Sequence, residues 1–218
     1  ETAYAKINLG LDVLGKRSDG YHEVRMVMQS VGLSDAVEIE EGEGLVVETD
    51  HSGLAGGPDN LAWKAAELLA RCCGKIPNVH IRLNKKIFLA AGLAGGSSDA
   101  AAVMRGLSRL WQLDLTAPEL EKLAAELGSD IPFCITGGTA LAEGRGEILT
   151  ELPEAPELLL VLAKPKLEVA TGWVYGNFRQ QKVNQRPDID GIIKALEQSA
   201  TGLLLESCGN VLESVTIP

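Results

Sequence analysis

A glycine- and serine-rich segment at residues 91–101 constrains the fold of this chain more than any other feature. It reads Ala-Gly-Leu-Ala-Gly-Gly-Ser-Ser-Asp-Ala-Ala, between a strand-like segment at 79–83 and a helix-like segment from about Asp99 to Trp111. Glycines let the backbone turn tightly and approach a ligand, and the first N–H groups of a following helix favour an anion. The segment predicts a phosphate-binding loop at residues 92–98, although a flexible connector with a serine cap would have a similar composition.

The spacing of the glycines excludes two common nucleotide-binding loops. No Gly-Lys-Ser or Gly-Lys-Thr follows the segment, as a Walker A loop requires. Gly92, Gly95 and Gly96 do not give the Gly-x-Gly-x-x-Gly pattern of a dinucleotide site. A phosphate bound here would therefore lie in another type of loop.

The rest of the chain mixes strands and helices without regular alternation. Apolar residues alternate at 3–13, which indicates a strand with Lys6 and Asn8 on its other face. Asn60 is a typical N-cap for a helix at 61–73. Further strands are predicted at 21–33, 36–41, 45–48, 139–143, 147–152 and 158–163, and further helices at 116–128, 171–178 and 189–199. The pattern predicts an α+β fold with a domain at 1–152 and a second, apparently incomplete domain at 153–218.

Composition limits the partners of the chain. A hydrophobic content of 45% with 23% charged residues is ordinary for a globular protein. The formal net charge of -10 argues against nucleic acid or an anionic membrane as a partner, because both attract a basic surface. The four cysteines show no Cys-x-x-Cys spacing, so we expect reduced thiols and a cytoplasmic location.

Lys6 and Asp130 are the candidate reactive groups. A strand lysine is most often an edge or solubility device, but it also neutralises the charge of a transferring phosphate. Asp130 precedes Ile131-Pro132, where an aspartate commonly bonds its own backbone in a turn. The alternative is a carboxylate that accepts or orients the proton of an attacking hydroxyl group.

Tyr21 and His22 follow the turn signal Asp19-Gly20. A single histidine on a surface carries little information. An adjacent ring and hydrogen-bonding edge would also suit a heterocyclic ligand, and both interpretations remain open at this point.

Three separated motifs resemble those of the GHMP kinase superfamily, which is named for galactokinase, homoserine, mevalonate and phosphomevalonate kinases. In order, they are Ala-Lys-Ile-Asn-Leu at 5–9 with Asp-Gly-Tyr-His-Glu at 19–23, the segment at 91–101, and Gly-Ser-Asp-Ile-Pro-Phe at 128–133 with Gly-Arg-Gly-Glu at 144–147. The resemblance covers nearly the whole chain. It implies transfer of phosphate from ATP, with Mg²⁺, to a small-molecule alcohol, by a strand-rich N-terminal domain and a ferredoxin-like C-terminal domain.

The resemblance also implies roles for individual residues. Asp130 would be the catalytic carboxylate and Lys6 its partner. The acceptor would be bound by Asn8, Tyr21, His22 and Tyr175. The ATP site would comprise Asn60, Leu61, Lys86, Ala91, Gly92, Leu93, Ala94, Gly95, Gly96, Ser97 and Ser98, with Ser98 also a magnesium ligand.

Within the superfamily, the Gly-Gly before Ser-Ser-Asp and the Asp-Gly-Tyr-His turn are similar to members whose methylerythritol acceptor carries a cytidine diphosphate group. Such an enzyme would act in non-mevalonate isoprenoid biosynthesis as a monomer or homodimer. A homoserine- or mevalonate-type kinase is one alternative, and a truncated nucleotide-binding domain without catalysis is another. Phe88 replaces a common family proline, and the C-terminal glycine-rich motif of the family does not occur before Pro218. We expect weak activity if the polypeptide ends there.

Overall fold

The computed structural model of the chain describes residues 1–167 and 169–217. Its strands are β1 (Thr2–Lys16), β2 (His22–Glu41), β3 (Leu45–Thr49), β4 (Val79–Asn84), β5 (Thr139–Glu143), β6 (Ile148–Glu151) and β7 (Gly209–Asn210). Its helices are α1 (Leu61–Cys73), α2 (Gly95–Leu110), α3 (Ala117–Ala124), α4 (Ile131–Thr136), α5 (Thr171–Asn177), α6 (Ile189–Glu197), α7 (Thr201–Ser207) and α8 (Glu213–Thr216), with a 3₁₀ turn at Gln180–Lys182. The predicted α+β class is confirmed. Within the described residues, none of these helices is both long and apolar enough to cross a membrane.

The described residues form two compact units, and the chain passes between them several times. Unit 1 comprises Glu1–Lys6, Val31–Leu89 and Leu93–Gly137, and unit 2 comprises Ile7–Ser30, Ala90–Gly92 and Gly138–Pro218. β1 and β2 each contribute residues to both units. The boundary expected between residues 152 and 153 falls inside unit 2. That boundary stays a prediction about continuous domains. Its second domain includes Glu168 and Pro218, which lie outside the described residues.

In unit 1, β4 lies between β3 and the C-terminal part of β2. β4 runs antiparallel to β2, with Val37 opposite Leu83, and parallel to β3, with Val47 opposite Ile81. Leu83 and Ile81 are almost fully buried, in a core that also takes in alanine-rich faces of α1 and α2. Small side chains on these helices let them pack closely on the sheet, which explains how a chain with few aromatic residues fills its core.

The ends of α1 confirm the prediction made for this helix. The side-chain oxygen of Asn60 accepts a hydrogen bond from the N–H of Ala62 at 2.9 Å, as an N-cap does. Gly74 ends the helix in the left-handed conformation at φ 63°, and its N–H donates to the carbonyl of Ala70. Both boundaries follow from local chemistry, and the sequence placed them correctly.

In unit 2, the N-terminal part of β2 pairs with β5, and β5 forms a hairpin with β6. β1 runs parallel to β7 at Gly10 and Leu11. Ile192 of α6 packs in a core with Leu9 and Val27. A side chain at Gly10 would lie 2.5 Å from Cδ1 of Ile192, so glycine lets the helix approach the strand closely.

The structure corrects several of the predicted elements. The strands predicted at 21–33 and 36–41 form one strand, β2, because the chain stays extended between them. The strand predicted at 158–163 is wrong: this segment pairs with no strand in the described part of the chain, and Leu159 and Val161 are 99% and 92% exposed. An apolar composition favours a strand only where a neighbouring strand is available for pairing. The helix predicted at 116–128 has its last helical residue at Ala124, and α4 and α7 were not foreseen.

Candidate active site

Lys6 and Asp130 lie close together in unit 1. Nζ of Lys6 is 3.8 Å from Oδ2 of Asp130. The Lys6 side chain is 6% exposed and that of Asp130 is 35% exposed, so a buried cation meets a carboxylate that remains accessible. Lys6 is therefore shielded from solvent, whereas Tyr4 on the same face of β1 is 53% exposed. This burial argues against a role for Lys6 as a solubility device on an exposed strand edge.

The position of Asp130 leaves its carboxylate available for chemistry. Asp130 is the N-cap residue of α4, yet its side chain makes no capping hydrogen bond in the described part of the chain. Its backbone carbonyl accepts a hydrogen bond from the N–H of Cys134, which starts the helix. A turn aspartate, as the local sequence suggested, would accept hydrogen bonds from nearby backbone N–H groups with its side chain. Here the carboxylate is close to the ammonium group of Lys6.

Ser98 and Cys134 form a polar contact near this pair. The hydroxyl of Ser98 donates to the carbonyl of Tyr4 at 2.6 Å and lies 3.4 Å from Sγ of Cys134. Burial raises the pKa of the Cys134 thiol to about 11, so it carries no charge at neutral pH. Ser98 and Cys134 thus contribute neutral polar groups near the candidate pair.

Magnesium coordination by Ser98 fits this arrangement poorly. Ser98 is 1% exposed and its hydroxyl is engaged with a backbone carbonyl. Among the described residues, no group of three or more His, Cys, Asp and Glu side chains is arranged to hold a metal ion. Mg²⁺ in phosphate-transfer sites is commonly held by one or two carboxylates, waters and the phosphates of the nucleotide.

The glycine- and serine-rich segment forms the start of α2. The helix begins at Gly95, not near Asp99 as the sequence suggested, so only part of residues 92–98 is a loop. Ala94 precedes the helix in the left-handed conformation at φ 57°, and no described side chain caps it there. The first-turn amides therefore have no carboxylate or hydroxyl cap. Such amides at the positive end of a 16-residue helix suit a phosphate group.

The early start of α2 depends on close packing at its first turn. A side chain at Gly95 would lie 3.0 Å from Cγ2 of Ile87, and one at Gly96 would lie 3.5 Å from Cδ1 of Leu61. Gly95 thus lets the helix start approach the segment that follows β4. Leu61, predicted to line the ATP site, lies beside this turn. The N–H of Lys6 donates to the carbonyl of Leu93 at 3.1 Å, which ties the start of the helix to β1.

The other residues predicted for the nucleotide site have mixed surroundings. The side chain of Asn60 is used in the N-cap of α1 and in a bond to the carbonyl of Ala55. Lys86 is exposed, and Ala91 and Gly92 belong to unit 2. The roles of these residues toward ATP stay predictions.

A buried ionic cluster near the start of α2 was missed by the sequence reasoning. Nζ of Lys85 lies 2.5 Å from Oδ2 of Asp35 and 2.5 Å from Oδ2 of Asp99. We call these three residues the Lys85 cluster. The available signal was two adjacent lysines before the loop and an aspartate after it, and the sequence analysis chose the exposed lysine, Lys86.

In unit 2, His22 lies among aromatic rings. Its ring centroid is 5.3 Å from that of Tyr175, in a tilted arrangement, and 6.3 Å from that of Phe178, edge to face. Burial, with a smaller contribution from Lys16, lowers the pKa of His22 below its ordinary value, which favours the neutral ring. The structure thus brings together two of the residues predicted to bind the acceptor.

The ring of Tyr21 contacts the side chain of Arg145, which was not among the predicted site residues. The guanidinium carbon of Arg145 is 4.8 Å from the centroid of the Tyr21 ring, which is the geometry of a cation–π contact. Tyr21 is 54% exposed, so much of its surface remains accessible. Asn8 is half-buried on β1.

Comparisons with known proteins place this chain in a family. The model of the family described as GHMP kinases N terminal domain matches residues 60–138. A 4-diphosphocytidyl-2-C-methyl-D-erythritol kinase of Acetivibrio thermocellus is 48% identical over 216 residues, which cover 99% of this chain and 76% of that protein. A protein of the same name from Geobacillus kaustophilus is 47% identical over 218 residues, which cover 99% of this chain and 75% of the relative.

Solved structures agree with these sequence relatives. A crystal structure of 4-(cytidine 5'-diphospho)-2C-methyl-D-erythritol kinase superposes with a TM-score of 0.75 at 34% identity, covering 98% of this chain and 75% of that one. Mevalonate kinase of L. major, in complex with R-mevalonate, has a TM-score of 0.71 at 17% identity, over 98% and 72% of the two chains, and so shares the fold. The chain therefore belongs to the GHMP kinase superfamily and, within it, to the family of proteins named 4-diphosphocytidyl-2-C-methyl-D-erythritol kinase.

Proposed function

We propose that this chain transfers the γ-phosphate of ATP to the 2-hydroxyl group of 4-diphosphocytidyl-2-C-methyl-D-erythritol, a step of non-mevalonate isoprenoid precursor synthesis. The observation that carries the proposal is the Lys6–Asp130 pair, a buried ammonium group 3.8 Å from an accessible carboxylate. The identity of 48% with a kinase of that name, over nearly the whole chain, supports the choice of acceptor.

In this reaction the acceptor oxygen forms a bond to the γ-phosphorus while the bond between that phosphorus and the β–γ bridging oxygen breaks. ADP leaves with the electron pair of the broken bond. The proton of the hydroxyl group passes to the carboxylate of Asp130, which also orients the hydroxyl for in-line attack. An unperturbed carboxylate is a weak base, but phosphoryl transfer depends mainly on positioning and on stabilisation of charge.

Lys6 supplies the positive charge at this centre. Its ammonium group is almost fully buried, so its field is less screened by water than that of a surface lysine. Placed beside the carboxylate, it offsets the negative charge that the transferring phosphate brings to Asp130. Without this cation, phosphate and carboxylate would repel each other at short range.

The β- and γ-phosphates of ATP would lie at the uncapped first turn of α2, where backbone N–H groups and the helix dipole favour anions. Mg²⁺ bound to those phosphates would neutralise part of their charge. The protein residues described above do not form a dedicated magnesium site, so the metal ion would arrive with the nucleotide.

The acceptor would be recognised mainly through its cytidine group. His22 is neutral and packed beside Tyr175, which favours a heterocycle stacked on aromatic surface. Tyr21 and Asn8 complete the proposed set. A mevalonate- or homoserine-type acceptor has no heterocycle to use this aromatic group.

The experiment is to measure ADP release with Mg-ATP and four candidate acceptors: the cytidylylated methylerythritol, methylerythritol phosphate, homoserine and mevalonate. Turnover with the cytidylylated compound alone would support both the reaction and the acceptor. Turnover with another acceptor would keep the kinase and overturn the cytidine site. Absence of turnover with all four would favour a nucleotide-binding protein without catalysis.

A further inference from the structure

The Lys85 cluster connects the two ends of one loop, and both of those ends lie in unit 1. The β4–α2 loop, residues 85–94, begins after Asn84 and ends where α2 begins at Gly95. Lys85 is its first residue, Asp35 lies on β2, and Asp99 lies one turn into α2. The three side chains are 1%, 0% and 1% exposed, so this is a sealed ionic contact rather than a surface salt bridge.

At the start of the loop, Asp35 fixes the backbone as well as the lysine. Its Oδ1 atom accepts hydrogen bonds from the N–H groups of Lys86 at 2.5 Å and Ile87 at 2.8 Å. The N–H of Lys85 donates to Oδ1 of Asp50 at 2.9 Å. Three consecutive backbone amides are therefore held by carboxylates before the loop turns toward α2.

At the end of the loop, the same ammonium group reaches the helix. Nζ of Lys85 bonds Asp99, and it lies 3.6 Å from the position that a side chain at Gly95 would occupy. The ammonium group thus lies close to the first turn of α2, whose amides have no side-chain cap among the described residues. Ala94, at φ 57°, holds a conformation that alanine seldom adopts, which persists only where surrounding contacts determine it.

The composition of the cluster argues against a role in stability alone. It contains two carboxylates and one cation, and buried ionic groups are often no more stabilising than apolar residues of the same volume. Oδ1 of Asp99 is buried and has no hydrogen-bond partner among the described residues. A negatively charged cluster would not attract phosphate directly, so any effect on nucleotide binding must act through the shape of the loop.

We propose that Lys85, Asp35 and Asp99 are positioning residues that fix both ends of the β4–α2 loop and so set its affinity for the phosphates of the nucleotide. The inference rests on the proposed function only in taking the start of α2 as the site of the ATP phosphates. Asp99→Asn and Asp35→Asn keep the side-chain shape and weaken one contact each. Arg82→Met, on the neighbouring strand β4, removes exposed salt bridges to Glu40 and Glu48 and serves as the matched control.

The first measurement is hydrogen–deuterium exchange of the full chain without nucleotide. Both Asp variants should exchange faster at residues 86–97 and be unchanged at α3, while the Arg82→Met variant matches the parent at both segments. Equal acceleration at 86–97 and at α3 would overturn the proposal in favour of a general role in the core. If Asp35→Asn fails to fold, Asp99→Asn alone decides.

The second measurement is the dissociation constant of a non-hydrolysable ATP analogue, with the KM of the acceptor as reference. The Asp99→Asn variant should bind the analogue about three- to thirtyfold more weakly and leave the acceptor KM within about twofold. Unchanged exchange and unchanged affinity in a folded variant would overturn the proposal. Because neither exchange nor analogue binding needs turnover, failure of the parent protein to phosphorylate any acceptor would reject the proposed function without deciding this inference.

Discussion

Unit 1 contains two lysine–aspartate contacts that differ in almost every physical respect. Lys6 and Asp130 are 3.8 Å apart, and the aspartate side chain is 35% exposed. Lys85 lies 2.5 Å from each of two aspartates, and all three side chains are sealed from water. A reactive pair must admit a substrate between or beside its charges, whereas a positioning cluster must not admit even water. On the proposed roles, distance and exposure rather than residue type distinguish the two contacts.

The largest expected effect is on turnover and comes from the Lys6–Asp130 pair. The Asp130→Asn variant should lose about 10²- to 10⁴-fold in kcat, because the amide cannot accept the proton, while its affinity for ATP changes little. Steady-state kinetics and binding of a non-hydrolysable ATP analogue measure the two quantities separately. A collapse of nucleotide affinity with normal turnover would remove Asp130 from the catalytic role.

Removal of the cation from the Lys85 cluster should lower the free energy of unfolding. The Lys85→Met variant leaves two buried carboxylates without their cation, and we expect a loss of about 3–5 kcal/mol in the free energy of unfolding. Arg82→Met, which removes exposed salt bridges on the preceding strand β4, should cost at most about 1 kcal/mol. Urea denaturation of both variants makes the comparison, and equal losses would mean that burial does not distinguish the two kinds of contact.

A smaller effect should appear as a pH dependence of the free energy of unfolding, caused by Asp99 of the Lys85 cluster. Desolvation raises the pKa of Asp99 from 3.8 to about 6, against the opposing effect of Lys85. The folded state then binds this proton more tightly than the unfolded state. The contribution to stability is fully present below about pH 3.8 and is lost as the pH rises through about 6.

Subtraction of the Asp99→Asn variant isolates this group from other carboxylates. The free energy of unfolding of the parent minus that of the variant should fall between about pH 4 and pH 6 and be constant above about pH 7. A difference independent of pH would show that Asp99 is already ionised in the acid range.

The smallest expected effect comes from an uncharged contact in unit 2, which serves as a reference for both ionic ones. The Tyr175→Ala variant removes the ring beside His22 and should raise the KM of the acceptor about three- to tenfold, with the KM of ATP unchanged. Phe178→Leu, which keeps an apolar side chain on the other side of His22, is the matched control. An unchanged acceptor KM would take Tyr175 out of the acceptor site.

What the sequence predicted depended on how local the determining chemistry was. The cap at Asn60 and the strands predicted at 139–143 and 147–152 follow from neighbouring residues, and the structure has the cap and both strands, the second at Ile148–Glu151. The start of α2 was placed too late because glycine normally disfavours a helix, whereas here Gly95 permits close contact with Ile87. The segment at 158–163 has the composition of a strand without a partner strand in the described residues.

The candidate site shows the same limit. Lys6 and Asp130 were selected through short motifs, and the structure places them together. The Lys85 cluster joins residues 35, 85 and 99. The two adjacent lysines before the loop are a local signal, but no local pattern shows which of them pairs with the distant Asp35, and an aspartate inside a helix normally faces water. Its members became recognisable only when three separate segments were seen to share one ammonium group.

Two thiols of unit 1, those of Cys72 and Cys134, differ in how readily they should react. Cys72 is exposed and would react at once with a soluble thiol reagent, whereas Cys134 lies against Ser98 with its pKa raised to about 11. Modification of Cys134 should then be slower than that of Cys72, because burial disfavours the reactive thiolate. Occupation of the neighbouring reactive pair by ligands should slow that modification, so the rate reports occupancy of the site without any label being introduced.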